Sequence, residues 1–222
     1  MVEFRFFPPV TPGPNWKELA VQIVCLDLEG VLVPEIWIEF SKRTGIPELQ
    51  RTTREEPDYD KLMTYRLGIL KQHGLGLPDI QKVIADMGPL PGAKEFIAWL
   101  RQHYQVVILS DTFYEFAMPL MAQLNYPTLF CHKLEADAQG FLVNYHLRMA
   151  NQKQEAVKRF KELNFQVIAS GDSYNDTNML GEAHAGILFR PPENVIREFP
   201  QFPVVQDYAG LQEEILKASA RL

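Results

Sequence analysis

The chain has 222 residues, 46% of them hydrophobic, which suffices for one large core or a core with a smaller insertion and excludes a disordered tail. A formal net charge of -6 excludes the broad basic surface that nucleic acid or an anionic membrane requires. A small anionic substrate stays open, because a bound metal and a few basic side chains override the global sign.

Residues 1–19 carry Phe4, Phe6, Phe7 and four prolines without a continuous apolar h-region, so they read as an irregular extension with a short helix over 15–19. A strand is predicted over 21–26, ending in Asp27-Leu28-Glu29-Gly30. From 35 to 87 helical periodicity takes over, with helices over 36–43, 59–73 and 77–87 and no strand pattern between them. Trp37 and Phe40, at helical spacing, are expected in the core of that unit. A block of this length exceeds what one crossover helix needs, so 35–87 reads as an inserted helical cap on a core made of 20–34 and 88–222. Alternation then resumes: helix 93–103, strand 105–109, helix 113–124, strand 128–131, a hairpin within 130–148, helix 153–163, strand 166–170, helix 175–183, strand 185–189 and helix 211–220. This order predicts an α/β fold with a Rossmann-like parallel sheet.

Cys25 and Cys131 are isolated thiols at apolar positions and read as buried and reduced, which suits a cytoplasmic protein. No run of about 18 apolar residues is present to span a bilayer. The five histidines lack metal-ligand spacing and are assigned structural or surface roles. No Gly-rich nucleotide fingerprint is present, which argues against ATP or NAD. A homodimer stays open.

Two apolar runs end in acids: the first at Asp27 and Glu29, the second, Val167-Ile168-Ala169-Ser170, at Gly171-Asp172-Ser173-Tyr174-Asn175-Asp176. Parallel strands deliver their last residues to one edge of the sheet, where open α/β folds bind ligands. Carboxylates gathered there need a hard cation, and Mg²⁺ fits. Simpler readings stay open from the residues alone. Asp172 and Asp176 could cap the following helix, Ser110-Asp111-Thr112 could be a strand-to-helix cap, and Lys153 could lie on a solvated helix face. Lys158 competes with Lys153, which is preferred because it stands at the helix start.

Asp27-x-Glu29-Gly30-Val31, Ser110 after Val106-Val107-Ile108-Leu109, Lys153, and Gly171-Asp172-x-x-Asn175-Asp176 resemble the four ordered motifs of the haloacid dehalogenase superfamily. The resemblance runs from Val21 onward and is strongest to the phosphoserine phosphatase group, in particular the subtype that also transfers phosphoryl groups to homoserine. It implies a haloacid dehalogenase fold, a Mg²⁺-dependent reaction and an aspartyl-phosphate intermediate in serine or threonine biosynthesis. Asp27 is implied as nucleophile and metal ligand, and Glu29 as general acid and base whose backbone carbonyl also ligates the metal. Asp172 and Asp176 are implied at the metal, and Ser110, Lys153 and Asn175 at the phosphoryl group. Glu35 is implied to receive the substrate ammonium, Arg66 its carboxylate, and Tyr59 to line the cap side.

Two positions depart from the usual pattern of that group: Glu29 where Asp is typical, and Asp111 where glycine usually follows the motif serine. Both match the phosphotransferase subtype, and Asp111 is placed beside the substrate. Without the resemblance, Arg66 would read as an ordinary helix salt bridge and Glu35 as an exposed first-turn acid. Hydrolysis of another small phosphate ester, or non-catalytic binding of a phosphometabolite, are the alternatives.

Overall fold

The computed structural model describes residues 21–52, 55–56 and 58–222, so the extension expected over 1–19 and its helix over 15–19 lie outside the described residues. β1 (Gln22–Leu26), β2 (Gln105–Phe113), β3 (Thr128–Ala136), β4 (Leu142–His146), β5 (Gln166–Gly171), β6 (Ala185–Phe189) and β7 (Val204–Val205) form one sheet. Their order is β4-β3-β2-β1-β5-β6-β7, and only β3 and β4 pair antiparallel. β1 lies mid-sheet and is buried from Ile23 onward, as expected of a parallel strand covered on both faces.

Successive side chains of β1 enter different cores. Val24 and Leu26 pack with Ile108 and Ile168 under α4 (Ala93–His103), α5 (Tyr114–Gln123) and α9 (Tyr208–Ser219). Ile23 and Cys25 pack with Val107, Leu109 and Val167 under α6 (Gln152–Glu162) and α7 (Thr177–Glu182). This period of two is why a nearly unbroken apolar run is needed in the strand.

Between β1 and β2 the chain forms α1 (Ile36–Thr44), a 3-10 turn Pro47–Gln50, α2 (Tyr59–Gln72) and α3 (Leu77–Ala85), then α4, with no strand among the described residues. Ile36 and Phe40 of α1, Met63 and Leu70 of α2, and Ile80 and Ile84 of α3 join the first core. The β3–β4 hairpin holds these helices from the other side. Leu77 N donates to the Gly140 carbonyl at 2.7 Å, and the Tyr59 and Tyr145 rings meet edge to face at 5.6 Å.

Several boundaries differ from the sequence reading. The strand predicted over 105–109 continues to Phe113, with a register irregularity against β3 between Leu109 and Phe113, so Ser110-Asp111-Thr112 is extended chain and not a helix cap. The segment 175–183 splits into a 3-10 turn Tyr174–Asp176 followed by α7. α9 begins at Tyr208, three residues before the predicted start, because the Asp207 side chain accepts from Gly210 N at 2.8 Å and caps it. α8 (Glu193–Glu198) and β7 carry too short a pattern for the sequence to show. Cys25 and Cys131 are free and buried, and burial pushes both thiols well above their ordinary range. No helix among the described residues is long and apolar enough to cross a membrane.

Candidate active site

Strand register assembles the site. Leu26 pairs with Ile108 on one side and Ser170 on the other, so Asp27, Ser110 and Gly171-Asp172 come to the same edge of the sheet. Asp27 N donates to the Ser170 carbonyl at 2.9 Å, which carries the β1–β5 pairing to that edge. Two glycines allow the loops to close. Gly30 has φ +75, and a Cβ there would stand 2.3 Å from Asp172 Oδ2; a Cβ on Gly171 would stand 2.3 Å from Asp176 Cγ.

Asp27, Asp172 and Asp176 each present a carboxylate oxygen within 4.8 Å of the others. Lys153, in the first turn of α6 and 4% exposed, places Nζ 2.9 Å from Asp27 Oδ1, 2.8 Å from Asp176 Oδ1 and 3.7 Å from Asp111 Oδ2. Lys158 instead pairs with Glu155 at 2.7 Å on the outer face of α6, so Lys153 is the lysine of this site. Burial works against the Lys153 charge, but Asp176, Asp27 and Asp111 hold its pKa well above the usual range.

The three carboxylates are not equivalent. Asp176 is fully buried; its Oδ2 accepts from Asp172 N at 3.0 Å and Ser173 N at 3.1 Å while Oδ1 meets Lys153. A cap is present, but it is formed by Ser173 and Asp176 on the 3-10 turn; Asp176 makes no side-chain cap on α7, and the Asp172 side chain takes no part in one. Asp27 Oδ1 accepts from Leu28 N at 2.7 Å and meets Lys153, whereas its Oδ2 has no protein donor among the described residues. Asp172 Oδ1 is buried without a partner.

One ammonium against three acids leaves excess negative charge. Burial, then Asp176, raises the Asp27 pKa well above the carboxylate range against the pull of Lys153; burial, then Asp176 and Glu35, pushes Asp172 up to about 7. An orphaned Asp172 oxygen, a free Asp27 oxygen and hard donors throughout fit a Mg²⁺-type cation.

Glu29 stands apart from that cluster. Its Oε2 accepts from Ile36 N at 2.8 Å at the start of α1, and burial followed by repulsion from Glu35 pushes its pKa up to about 8. A carboxyl still protonated near neutrality is suited to donate a proton.

Opposite the sheet edge, a cavity of about 220 Å³ is walled by α2 and the loop before α1. Tyr59, Leu62 and Arg66, spaced three and four residues apart on α2, all face it. Arg66 is 7% exposed, donates from Nη2 to the Arg51 carbonyl at 2.7 Å and stacks over Trp37 at 4.6 Å. Its Nε is buried without a partner, and no acid forms an ion pair with it among the described residues, so the simple salt-bridge reading does not hold. Burial lowers the Arg66 pKa and pushes the Tyr59 phenol upward. Glu35 lies exposed at the mouth.

Ser110 is 2% exposed and lines the floor, with Oγ accepting from Thr112 N at 3.3 Å. Asn175 Nδ2 donates to Asp111 Oδ2 at 3.1 Å. Burial opposes the Asp111 charge, yet Lys153, the nearby His132 ring and hydrogen bonds from Gln152 and Asn175 hold its carboxyl well below the usual range.

Every residue assigned to the site from the sequence thus borders one cavity or its acidic floor, whereas Lys158 does not. Three were missed. Trp37 packs against the core edge to face on Phe116, as expected, but also lines the cavity as the platform of Arg66, while Phe40 is fully inside the core. Thr112 lies two residues beyond Ser110 on the same strand face and reaches Glu29; reading the strand through to Phe113 would have found it. Ser173 also lines the cavity, and only its capping role was visible locally.

Among curated proteins, the chain is 64% identical to a phosphoserine phosphatase ThrH of Pseudomonas aeruginosa, covering 90% of this chain and 98% of the relative. It is 61% identical to a phosphoserine phosphatase of Pseudomonas syringae pv. tomato, over 92% and 86% of the two chains. A solved phospho-aspartyl intermediate analogue of phosphoserine phosphatase superposes with a TM-score of 0.70 at 20% identity, covering 89% of this chain and 98% of that one, and shares the fold. The profile of haloacid dehalogenase-like hydrolases matches residues 24–181, a span that begins in β1 and takes in Asp27, Ser110, Lys153 and Asp176. A match that spans most of the chain, together with the 64% identical relative, shows that the chain belongs to the haloacid dehalogenase-like hydrolases.

Proposed function

We propose that this protein is a Mg²⁺-dependent phosphatase of O-phospho-L-serine that works through a phosphoryl group carried on Asp27. The observation that carries the reading is the placement of Asp27: Lys153 and Leu28 N hold Oδ1, while Oδ2 at the cavity, and Arg66 on its far wall, have no donor and no acid respectively among the described residues. The close relatives named phosphoserine phosphatase support the substrate.

In this scheme Arg66 takes the substrate carboxylate and Glu35 its ammonium, while Tyr59 and Trp37 shape the walls. Ser110, Asn175 and Lys153 bind the phosphoryl oxygens. Asp27 Oδ2 attacks phosphorus as the serine oxygen departs with a proton from Glu29. Glu29, now a carboxylate, removes a proton from the water that attacks the phospho-enzyme, and Asp27 is regenerated. Asp27, Asp172 and the Glu29 backbone carbonyl would hold Mg²⁺, with Asp176 fixing the Asp172 loop; the cation supplies the charge neutralisation that brings an anionic nucleophile to an anionic phosphate. Residues 35–87 act as the cap that excludes bulk water from the core formed by 20–34 and 88–222. The buried free thiols suit a cytoplasmic setting.

Transfer to the hydroxyl of homoserine is the second acceptor reading. It is supported by Glu29 and Asp111, which depart from the usual group pattern, and by the cavity opening past Glu35, Tyr59 and Asp111 onto a wider groove. ³¹P NMR of phosphoserine with Mg²⁺, with and without homoserine, tests both. Free phosphate is the expected product, phosphohomoserine marks transfer, and unchanged phosphoserine in both samples overturns the reading.

A further inference from the structure

Two buried polar side chains, His132 and Gln152, have no task in this scheme, yet both reach Asp111. Gln152, the first residue of α6 and 2% exposed, donates through Nε2 to the Ser110 carbonyl and, at 3.1 Å, to Asp111 Oδ1. Its Oε1 accepts from Arg148 Nε at 3.1 Å and Nη2 at 3.0 Å. A guanidinium only donates, so the amide oxygen must face Arg148 and the amide nitrogen must face Asp111. His132 lies on β3, 4% exposed, and its Nδ1 accepts from Arg148 N at 3.0 Å. A backbone N–H also only donates, so the matching imidazole tautomer carries its hydrogen on Nε2, 3.7 Å from Asp111 Oδ1.

The other Asp111 oxygen faces the cavity. Oδ2 accepts from Asn175 Nδ2 at 3.1 Å and lies 3.7 Å from Lys153 Nζ, two groups assigned above to the phosphoryl oxygens. An aspartate whose side chain is 45% exposed would ordinarily move among rotamers. Here one oxygen is gripped from inside the protein while the other orients the anion-binding groups, which is the arrangement that preorganises donors before the ligand arrives.

We propose that His132 and Gln152 are positioning residues that fix Asp111 and, through it, set Asn175 and Lys153 against the bound phosphoryl group. The inference rests on the phosphatase reading for its turnover arm only; binding of inorganic phosphate tests it independently.

The variants are chosen to separate positioning from folding. His132→Gln carries an amide N–H to the place of Nε2, whereas His132→Asn keeps an acceptor for Arg148 N and leaves Asp111 without that donor. Isothermal titration of inorganic phosphate with Mg²⁺ present is expected to show binding weakened about tenfold in His132→Asn and Gln152→Met and near wild type in His132→Gln. The same ranking is expected in kcat/KM for phosphoserine, and in an Asp111→Ala background His132→Asn should add little further loss. Wild-type affinity in His132→Asn, a His132→Gln as weak as His132→Asn, or a full tenfold loss added in the Asp111→Ala background overturns the proposal. The expected phosphate ranking in a protein that leaves phosphoserine untouched would overturn the substrate reading and leave the positioning intact.

Discussion

On the sheet side of the cavity Lys153 sits between Asp27 and Asp176 at 2.9 and 2.8 Å, whereas on the helical side Arg66 rests on Trp37 and the Arg51 carbonyl with no acidic partner among the described residues. The sheet wall is a set of charges that depend on one another, because a buried ion left unpaired is costly. The α2 wall keeps a cation partly unsatisfied, with its Nε buried and unpartnered, and the proposed scheme gives that guanidinium the substrate carboxylate. Changes to the first wall should therefore affect chemistry and folding together. Changes to the second should affect the choice of substrate and little else.

The sharpest break of that contrast is Asp27→Asn, which keeps the shape and removes the nucleophile; phosphate release is expected to fall about 10⁴-fold, and activity within tenfold of wild type would remove Asp27 from that role. Next comes Lys153→Met. Chelator-treated protein carrying it should lose about 3–5 kcal/mol in urea melts, because Asp27 and Asp176 are left buried and uncompensated. Lys158→Met should leave the same melt unchanged, since Glu155 is its surface partner. Equal losses in the two variants would mean that the contacts of Lys153 carry no special weight.

On the other wall, Arg66→Met is expected to lower kcat/KM for phosphoserine about 10²-fold without changing that for phosphoethanolamine, which lacks the carboxylate. A uniform drop on both esters would reduce Arg66 to a structural support.

The smallest effect concerns pH. Asp172 has its pKa raised from 3.8 to about 7, so between those values the folded, metal-free protein holds a proton that the unfolded chain has released. Stability therefore falls as pH rises through that window, and the raised pKa values of Asp27 and Glu29 act in the same direction. Asp111, with a lowered pKa, titrates below the window and Lys153, with a raised one, above it. Discounted for the partial exposure of Asp172, its own share of the loss from pH 5 to pH 8 in chelator is expected on the order of 2 kcal/mol. Mg²⁺ should restore more stability at pH 8 than at pH 5. Parallel gains at the two pH values would argue that the acids do not share a cation.

Much of this arrangement is legible one segment at a time. The buried run of β1 and the run of β5 each end in acids, and parallel strands can only deliver those ends to one edge. Helices α1 to α3 show their period directly. The boundaries that failed did so where local pattern is ambiguous: Ser110-Asp111-Thr112 has the composition of a cap, yet pairing beside β3 keeps β2 extended to Phe113. Thr112 was lost with that boundary, and Trp37 because an aromatic at helical spacing looks the same whether it faces a core or a cavity.

Sequence by itself determined the residue types, their order and the strand ends they occupy, since those follow from local periodicity and chain direction. Only tertiary structure decided the partners. Lys153 rather than Lys158 meets Asp176 across 23 residues, Asp176 spends both oxygens on the protein while Asp172 keeps one free, and His132 reaches Asp111 from a neighbouring strand. The physical reason is range: periodicity reports which face a side chain takes, whereas pairing and desolvation depend on distances of a few ångströms that strand register and helix docking set between segments far apart in the chain.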